Sequence, residues 1–330
     1  METDRPVGCT LSRLKVFGTF VCGGGSTMGY KLAGYHHLGG VELIEKYADL
    51  YRHNHHPELF YLEDMRLFNQ RTDLPDELYQ LDLLDGSPPC AAFSMAGARE
   101  KIWGKLSDYE GVMQVKDDLV YVYCDTIKKL KPKIFLLENV SGLMKGNARI
   151  YLRNIVDTLS VDYDVQAFLL YAASMGIPQM RNRVFIIGRR KELKLPKLEL
   201  EFDCPQVNFD ITKKYWNEGV LFNPQSSVYK KWLSIDGYGQ PHEKNFSLIK
   251  VSPDKPANTI TESATHKNAH GVVHHLYPRN LNREEIRLCS TFPLDYDFLH
   301  YDYGVMGRSV LPVMMANISN QIYLQLLAPK

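Results

Sequence analysis

Cys90 follows Gly86-Ser87-Pro88-Pro89, which ends the largely apolar run Leu81-Asp82-Leu83-Leu84-Asp85. Proline fixes φ and removes a backbone donor, so a strand cannot run past Pro88. The thiol therefore opens a loop at the carboxyl end of a buried strand. Open α/β sheets bind their ligands at that edge. A thiol held there is a candidate nucleophile. The alternative is a buried structural cysteine, since free Cys is among the most buried residue types.

Other residues could serve the same chemistry. The apolar run Ile134-Phe135-Leu136-Leu137 stops at Glu138-Asn139-Val140. A carboxylate directly after a buried strand is costly unless it is paired or protonated. Arg181 and Arg183 stand at i, i+2 before the strand Val184-Phe185-Ile186-Ile187, so they point to one face. They could clamp an anion or pair with carboxylates.

A second set suits a nucleoside. Residues 14–21 read as a strand ending near Phe20, followed by Cys22-Gly23-Gly24-Gly25-Ser26. Such a glycine cluster lets a backbone approach a ligand closely, or simply makes a tight turn. The next strand, around Gly40-Val41, ends at Glu42. An acid about twenty positions past a glycine turn can accept from ribose hydroxyls; otherwise it is a solvated helix-start charge. Phe60-Tyr61-Leu62 leads to Glu63-Asp64-Met65, another apolar run ending in acid. Phe20, Glu42, Asp64 and Cys90 at successive strand ends suggest a nucleoside pocket beside a nucleophile.

The elements that must position these residues alternate in α/β fashion. A helix is expected over 43–54, with Leu43, Tyr47, Leu50 and Tyr51 on one side. Residues 95–111 read as a mobile loop and 112–130 as a helix stopped by Lys131-Pro132-Lys133. A helix over 150–159 and a strand over 165–170 follow. Beyond Arg190 the pattern fails. Residues 191–250 read as a small, loop-rich domain carrying Lys213-Lys214-Tyr215-Trp216 and Tyr229-Lys230-Lys231-Trp232. Charge mixed with rings suits phosphate contact plus stacking. The chain then resumes, with a short helix from Arg283 and a last helix opened by Pro312.

Composition sets limits. At 330 residues the chain can bury a large core, and 45% hydrophobic with 23% charged residues excludes a disordered or collagenous chain. A net charge of +1 announces neither nucleic acid nor membrane, so a DNA-binding face would need its basic residues collected on it. No apolar run approaches a membrane span, and Met1-Glu2-Thr3-Asp4-Arg5 lacks the order of a signal peptide. Six scattered cysteines without a Cys-x-x-Cys pair suggest reduced thiols inside a cell, with neither disulfides nor a metal site.

In this order the motifs resemble the cytosine-C5 DNA methyltransferase family of restriction–modification systems and phages. Phe20-Val-Cys-Gly-Gly-Gly is similar to the family's first motif, and Ser87-Pro88-Pro89-Cys90 to its nucleophile loop. Glu138-Asn139-Val140 and Gln179-Met-Arg181-Asn-Arg183 match two more. Arg287-Leu288 through Phe292-Pro293, and Gly307-Arg308-Ser309-Val310-Leu311-Pro312, resemble the last two. The likeness spans the chain except for 191–250. Three positions depart from the pattern: Cys22 stands for Gly, Ala91 for Gln and Arg308 for Asn.

The resemblance implies a Rossmann-like α/β fold, with 1–190 plus 251–330 as catalytic domain and 191–250 as target-recognition domain. It implies S-adenosylmethionine as methyl donor, held by Phe20, Gly24, Gly25, Glu42, Leu43, Asp64, Met65, Pro89 and Ser309. Cys90 would be the nucleophile. A protonated Glu138 would donate to the ring nitrogen N3 of the cytosine, Arg183 would bind O2, and Arg181 would brace the nucleophile loop. Ser94, Lys213, Lys214, Lys230 and Lys231 would contact double-stranded DNA. The implied enzyme is a metal-free cytoplasmic monomer, associated with the nucleoid, with a restriction endonuclease in the same system. Its rivals are a silent DNA-binding relative and an RNA cytosine-C5 methyltransferase; a cysteine hydrolase lacks an evident histidine partner.

Overall fold

The computed structural model describes residues 14–89, 106–109, 112–115, 118–146, 148–243, 245–262, 271–300 and 304–328. The apolar runs that end in functional residue types become neighbours in one sheet. Its strands are β1 (Lys15–Thr19), β2 (His36–Glu42), β3 (Leu59–Leu62) and β4 (Leu83–Gly86). After the separate antiparallel pair β5 (Leu106–Tyr109) and β6 (Val112–Val115) come β7 (Ile134–Val140) and β8 (Tyr163–Tyr171). The two-residue β9 (Gln179–Met180) precedes β10 (Asn182–Arg190). The order is β3-β2-β1-β4-β7-β10-β8. The first five are parallel, and β10 runs antiparallel to both its neighbours.

Helices cover both faces, which is why Ile134-Phe135-Leu136-Leu137 is apolar without a break. Phe135 and Leu137 join Phe17 and Leu84 in a core under α3 (Met65–Gln70), α4 (Leu119–Leu130) and α5 (Ala148–Leu159). Ile134 and Leu136 point the other way, joining Val16 and Leu83 beneath α1 (Gly25–Leu32) and the last helix. A further helix, α2 (Glu45–His55), buries Tyr47 and Leu50 as their spacing predicts, in a separate core with Phe209 and Ile286.

The remaining chain adds α6 (Ser227–Leu233), β11 (Pro241–His242), β12 (Asn245–Lys250), β13 (Ala257–Asn258) and β14 (Val272–Val273). It closes with α7 (Arg283–Cys289), α8 (Gly304–Arg308) and α9 (Pro312–Ile322). The stretch 191–250 does not pack by itself. Leu195, Leu198, Leu200 and Phe202 belong to the core under α9. Further on, β12 pairs with β14, and Phe209 shares a core with Val251, Leu281 and Ile286. Arg279 reaches across this lobe, with Nη1 and Nη2 each 2.8 Å from a Glu285 carboxylate oxygen.

Two local expectations are overturned. The helix expected from 112 starts only at Leu119; Val112–Val115 is a strand, its β-branched valines suited to the pleat. Its partner Leu106–Tyr109 lies inside the stretch read as loop. The two indoles of the Lys-Tyr-Trp clusters are held within the lobe. Trp216 lies parallel to Phe209 with centroids 6.1 Å apart, and its indole donates to Thr212. Trp232 donates to the His274 carbonyl. The indoles pack into this lobe because each finds a buried partner for its N–H there.

Candidate active site

A cavity of about 480 Å³ is lined by residues at the carboxyl ends of β1, β2, β3, β4 and β7. The chain leaves β1 toward β2 on one side and β4 toward β7 on the other, so the cavity lies where strand order reverses. Phe20, Gly25, Glu42, Leu43, Asp64, Met65, Pro89 and Ser309 all line it. So do Glu138 and Arg183. Cys90 and Ser94 lie outside the described residues; Pro88 and Pro89, which lead directly to Cys90, line the cavity.

The turn after β1 is held against its own preference. Phe20 and Cys22 have φ of 55° and 47°, a region that costs an L-residue about 1–2 kcal/mol. Glu42 is the fastener. Its Oε2 accepts the Cys22 N–H at 2.8 Å, and its Oε1 accepts those of Leu43 and Ile44, each at 2.9 Å. Burial nevertheless pushes the Glu42 carboxyl above its ordinary value. A carboxylate offers about four acceptor sites, so a ligand hydroxyl can still bind. Burial also pushes the Cys22 thiol up to about 12, which keeps it protonated and no rival nucleophile.

The glycines serve chain packing more than ligand approach. A Cβ on Gly25 would sit 2.2 Å from the Val310 carbonyl oxygen. Gly24, expected among the cofactor contacts, is not among the residues that line the cavity. It takes φ of 70° as the N-cap of α1, and a Cβ there would strike the His55 ring.

Asp64 caps α3, with Oδ1 accepting the Arg66 N–H at 2.7 Å, and its Oδ2 lies 3.0 Å from Arg66 Nη1. Ser309 donates its hydroxyl to the Val305 carbonyl at 2.9 Å. Arg308, where the family pattern has Asn, pairs with Glu262 and lies over the Tyr47 ring.

The two arginines part company. Arg183 Nε is 2.7 Å from Glu138 Oε1, both side chains mostly buried at the cavity wall. Arg181 turns elsewhere. Its Nη1 donates to the Ile260 carbonyl at 3.1 Å, and its Nη2 to those of Gly307 and Ser309 at 3.0 and 3.1 Å. It does not line the cavity, and among the described residues it braces the segments that form the cavity's far wall. The reason is its place in the gap between β9 and β10, outside the strand alternation that aims Arg183.

Sequence reasoning missed Ser26, Glu63, Asp85, Ser87 and Asn139, all of which line the cavity. Glu63 Oε1, Ser87 Oγ and Asn139 Nδ2 are buried without a hydrogen-bond partner. Folded proteins leave few such atoms. Three around one cavity fit a ligand rich in hydrogen-bonding groups. The signal for Asp85 was a carboxylate inside an otherwise apolar strand, where burial demands a purpose.

Of the expected DNA contacts, Lys213, Lys214 and Lys230 are exposed and Lys231 is half-buried. Among the described residues no cluster of three or more His, Cys, Asp or Glu could hold a metal. No described helix is long and apolar enough to cross a membrane.

A doubly covered sheet with a polar cavity at its switch point, flanked by the Pro-Pro loop and the Glu138–Arg183 pair, defines a methyltransferase of the cytosine-C5 class. The chain belongs to that family: the model of the C-5 cytosine-specific DNA methylases matches residues 14–324. Among its relatives is the Type II methyltransferase M1.HphI of Haemophilus parahaemolyticus, 26% identical, with 91% of this chain and 84% of the relative covered. M.FnuDI of Fusobacterium nucleatum is 29% identical, with 92% of each covered. The fold is shared with a mutant of Spodoptera frugiperda DNMT2, at TM-score 0.66, 18% identity, and 94% and 99% coverage. The protein is a DNA cytosine-5 methyltransferase.

Proposed function

We propose that this enzyme moves a methyl group from S-adenosylmethionine to C5 of a cytosine flipped out of a specific duplex sequence, through a transient covalent bond from Cys90. The observation that carries this reading is a single cavity lined both by Phe20, Glu42, Asp64 and Met65 and by Pro89, Glu138 and Arg183. Its three unpartnered polar atoms suit a nucleoside joined to an amino acid.

C5 of cytosine is too electron-poor to take a methyl group unaided. The Cys90 thiolate forms a bond to C6, and the electrons of the C5–C6 double bond move toward C5 and the ring's N3 and O2. Glu138, taking up a proton as the cytosine enters and excludes water, donates it to N3; Arg183 donates to O2 and holds Glu138 in line. When bound, the cofactor supplies the methyl group as an electrophilic sulfonium. A water-relayed base then removes the C5 proton, the double bond reforms, and Cys90 leaves as thiolate. Flipping the base out costs about a few kcal/mol, offset by contacts in the cavity.

Phe20, Leu43 and Met65 would flank the adenine, Asp64 would accept its amine, and Glu42 would take the ribose. Gly25, Pro89 and Ser309 would border the remainder. The recognition segment 191–250 would read bases together with 271–282, whose residues share its core, while Lys213, Lys214, Lys230, Lys231 and Ser94 meet the DNA. The reading extends to a cytoplasmic, nucleoid-associated monomer, with a restriction endonuclease in the same system that forms no stable complex with it.

The test uses duplex DNA carrying 5-fluorocytosine at the mapped target, since fluorine cannot leave as the proton does. The wild-type enzyme should form an adduct that survives denaturation, and Cys90→Ala should form none. An active enzyme that forms no adduct would reject Cys90 as nucleophile. Bisulfite sequencing of DNA from an expressing host gives the target site.

A further inference from the structure

Six carboxylates line the cavity: Glu42, Glu63, Asp64, Asp85, Glu138 and Glu262. Glu42 holds three backbone N–H groups. Arg71 faces Glu63, Arg66 faces Asp64, Arg183 faces Glu138 and Arg308 faces Glu262. Asp85 differs. It is 4% exposed, and its hydrogen-bond donors are hydroxyls: Tyr30, 3.3 Å from Oδ1, and Ser26. Its charged neighbour is Glu138, which repels it. Among the described residues no cation stands beside it, and a buried carboxylate so placed is costly unless a ligand supplies one.

The surroundings say which cation fits. Ser26 lies in the first turn of α1, and Gly25, Ser26 and Thr27 all line the cavity. The helix begins at Gly24 with no side-chain cap and no acidic residue in its first turn. Free N–H groups at a helix start attract an anion. One strand away, Asp85 offers the opposite charge, and the neighbouring Ser87 Oγ is buried without a partner. A positive site and a negative site side by side match a zwitterion. A sulfonium has no N–H to donate, whereas an ammonium has three.

We propose that Asp85 binds the α-ammonium group of the cofactor's amino-acid moiety, with the first turn of α1 taking the α-carboxylate. This rests on the cofactor assigned above and deepens it. Asp85 becomes a ligand-binding residue, placed on the nucleophile strand five positions before Cys90. A fold that neutralises Asp85 in this way would couple cofactor binding to the strand that carries the thiol.

Calorimetry with the full chain tests it, using S-adenosylhomocysteine and its analogue lacking the α-amino group. Neither ligand carries a sulfonium, so the amino group is the sole variable. Wild type should bind the analogue about ten- to a hundredfold more weakly, the usual worth of a charge-assisted hydrogen bond. Asp85→Asn, checked for folding by its melting transition, should bind both ligands with similar affinity. If wild type binds the two equally, the proposal fails, whatever becomes of the variant. If Asp85→Asn keeps the wild-type preference, the ammonium is held elsewhere and the proposal fails again. Should wild type bind neither ligand, the cofactor assignment itself falls, an outcome distinct from the other two.

Discussion

Arg183 Nε lies 2.7 Å from Glu138 Oε1 across two antiparallel strands, with Arg183 in register with Val140 and Glu138 with Phe185. The pair is diagonal on one face of the sheet. Arg183 therefore fixes the Glu138 carboxyl at the cavity wall while keeping other N–H donors for a substrate oxygen. Arg183→Lys removes this fork geometry but keeps the charge. We expect it to lower the single-turnover methylation rate about a hundredfold or more while S-adenosylhomocysteine affinity stays within a few-fold. A loss of affinity as large as the loss of rate would move Arg183 out of the reacting centre.

Glu42 serves the turn and the ligand at once. Three backbone N–H groups converge on its carboxylate, that of Cys22 from the strained turn and those of Leu43 and Ile44 from the start of α2. Glu42→Ala should weaken cofactor binding by about one to two decades and also lower the melting temperature of the ligand-free protein. Glu42→Gln retains acceptor and bulk, so it should recover most of the melting temperature and less of the affinity. Equal recovery of both would leave Glu42 a purely structural fastener.

Asp85 predicts a pH signature. Burial, with the nearby Glu138 charge adding to it, raises the Asp85 carboxyl from 3.8 to about 7, against the opposing hydrogen bonds from Ser26 and Tyr30. Tyr123 also faces it, and burial keeps that phenol neutral. Between these two pH values the folded protein holds a proton that the unfolded chain has released. Stability contributed by neutral Asp85 is thus present below about pH 4 and lost as pH rises through 7. Asp85→Asn removes that loss. The melting temperature of the variant relative to wild type should climb from pH 4.5 to pH 8, by an amount on the order of a few kcal/mol in stability. A difference that does not change with pH would show Asp85 ionised throughout.

Lys213 and Lys214 are exposed in the last turn of the 3-10 helix Phe209–Tyr215. If they meet phosphates, replacing either should weaken all duplex sequences alike. The slope of log affinity against log salt should flatten by about one unit per lost contact. Replacing 191–250 by a relative's segment should instead redirect which cytosine is marked. An active chimera that keeps the original site would move recognition elsewhere, most directly to 95–111.

Local sequence was enough for the ends of the strands. An apolar run broken by Pro-Pro, by acid or by a glycine cluster has one place to stop, so Phe20, Glu42 and Asp64 could be set at strand ends from residue types alone, whereas β7 runs two residues past Glu138. Their order along the chain also carried the family. What the sequence left open is what each side chain meets. Arg181 and Arg183 look equivalent at i, i+2, yet one completes the cavity wall and the other ties Ile260 to Gly307 and Ser309. That division depends on where β9 ends and β10 begins, and on the return of α8 over the sheet. The glycines tell the same story. Gly24 and Gly25 read as ligand contacts; Gly25 lines the cavity, and His55 and the Val310 carbonyl also leave no room for a side chain at either position. Asp85 showed in the sequence only as an acid in an apolar strand; its weight came once the neighbouring strands and α1 had closed over it with no cation among the described residues. Spacing along a chain sets direction and periodicity; the partner across the sheet, and the solvent it excludes, are decided by the fold.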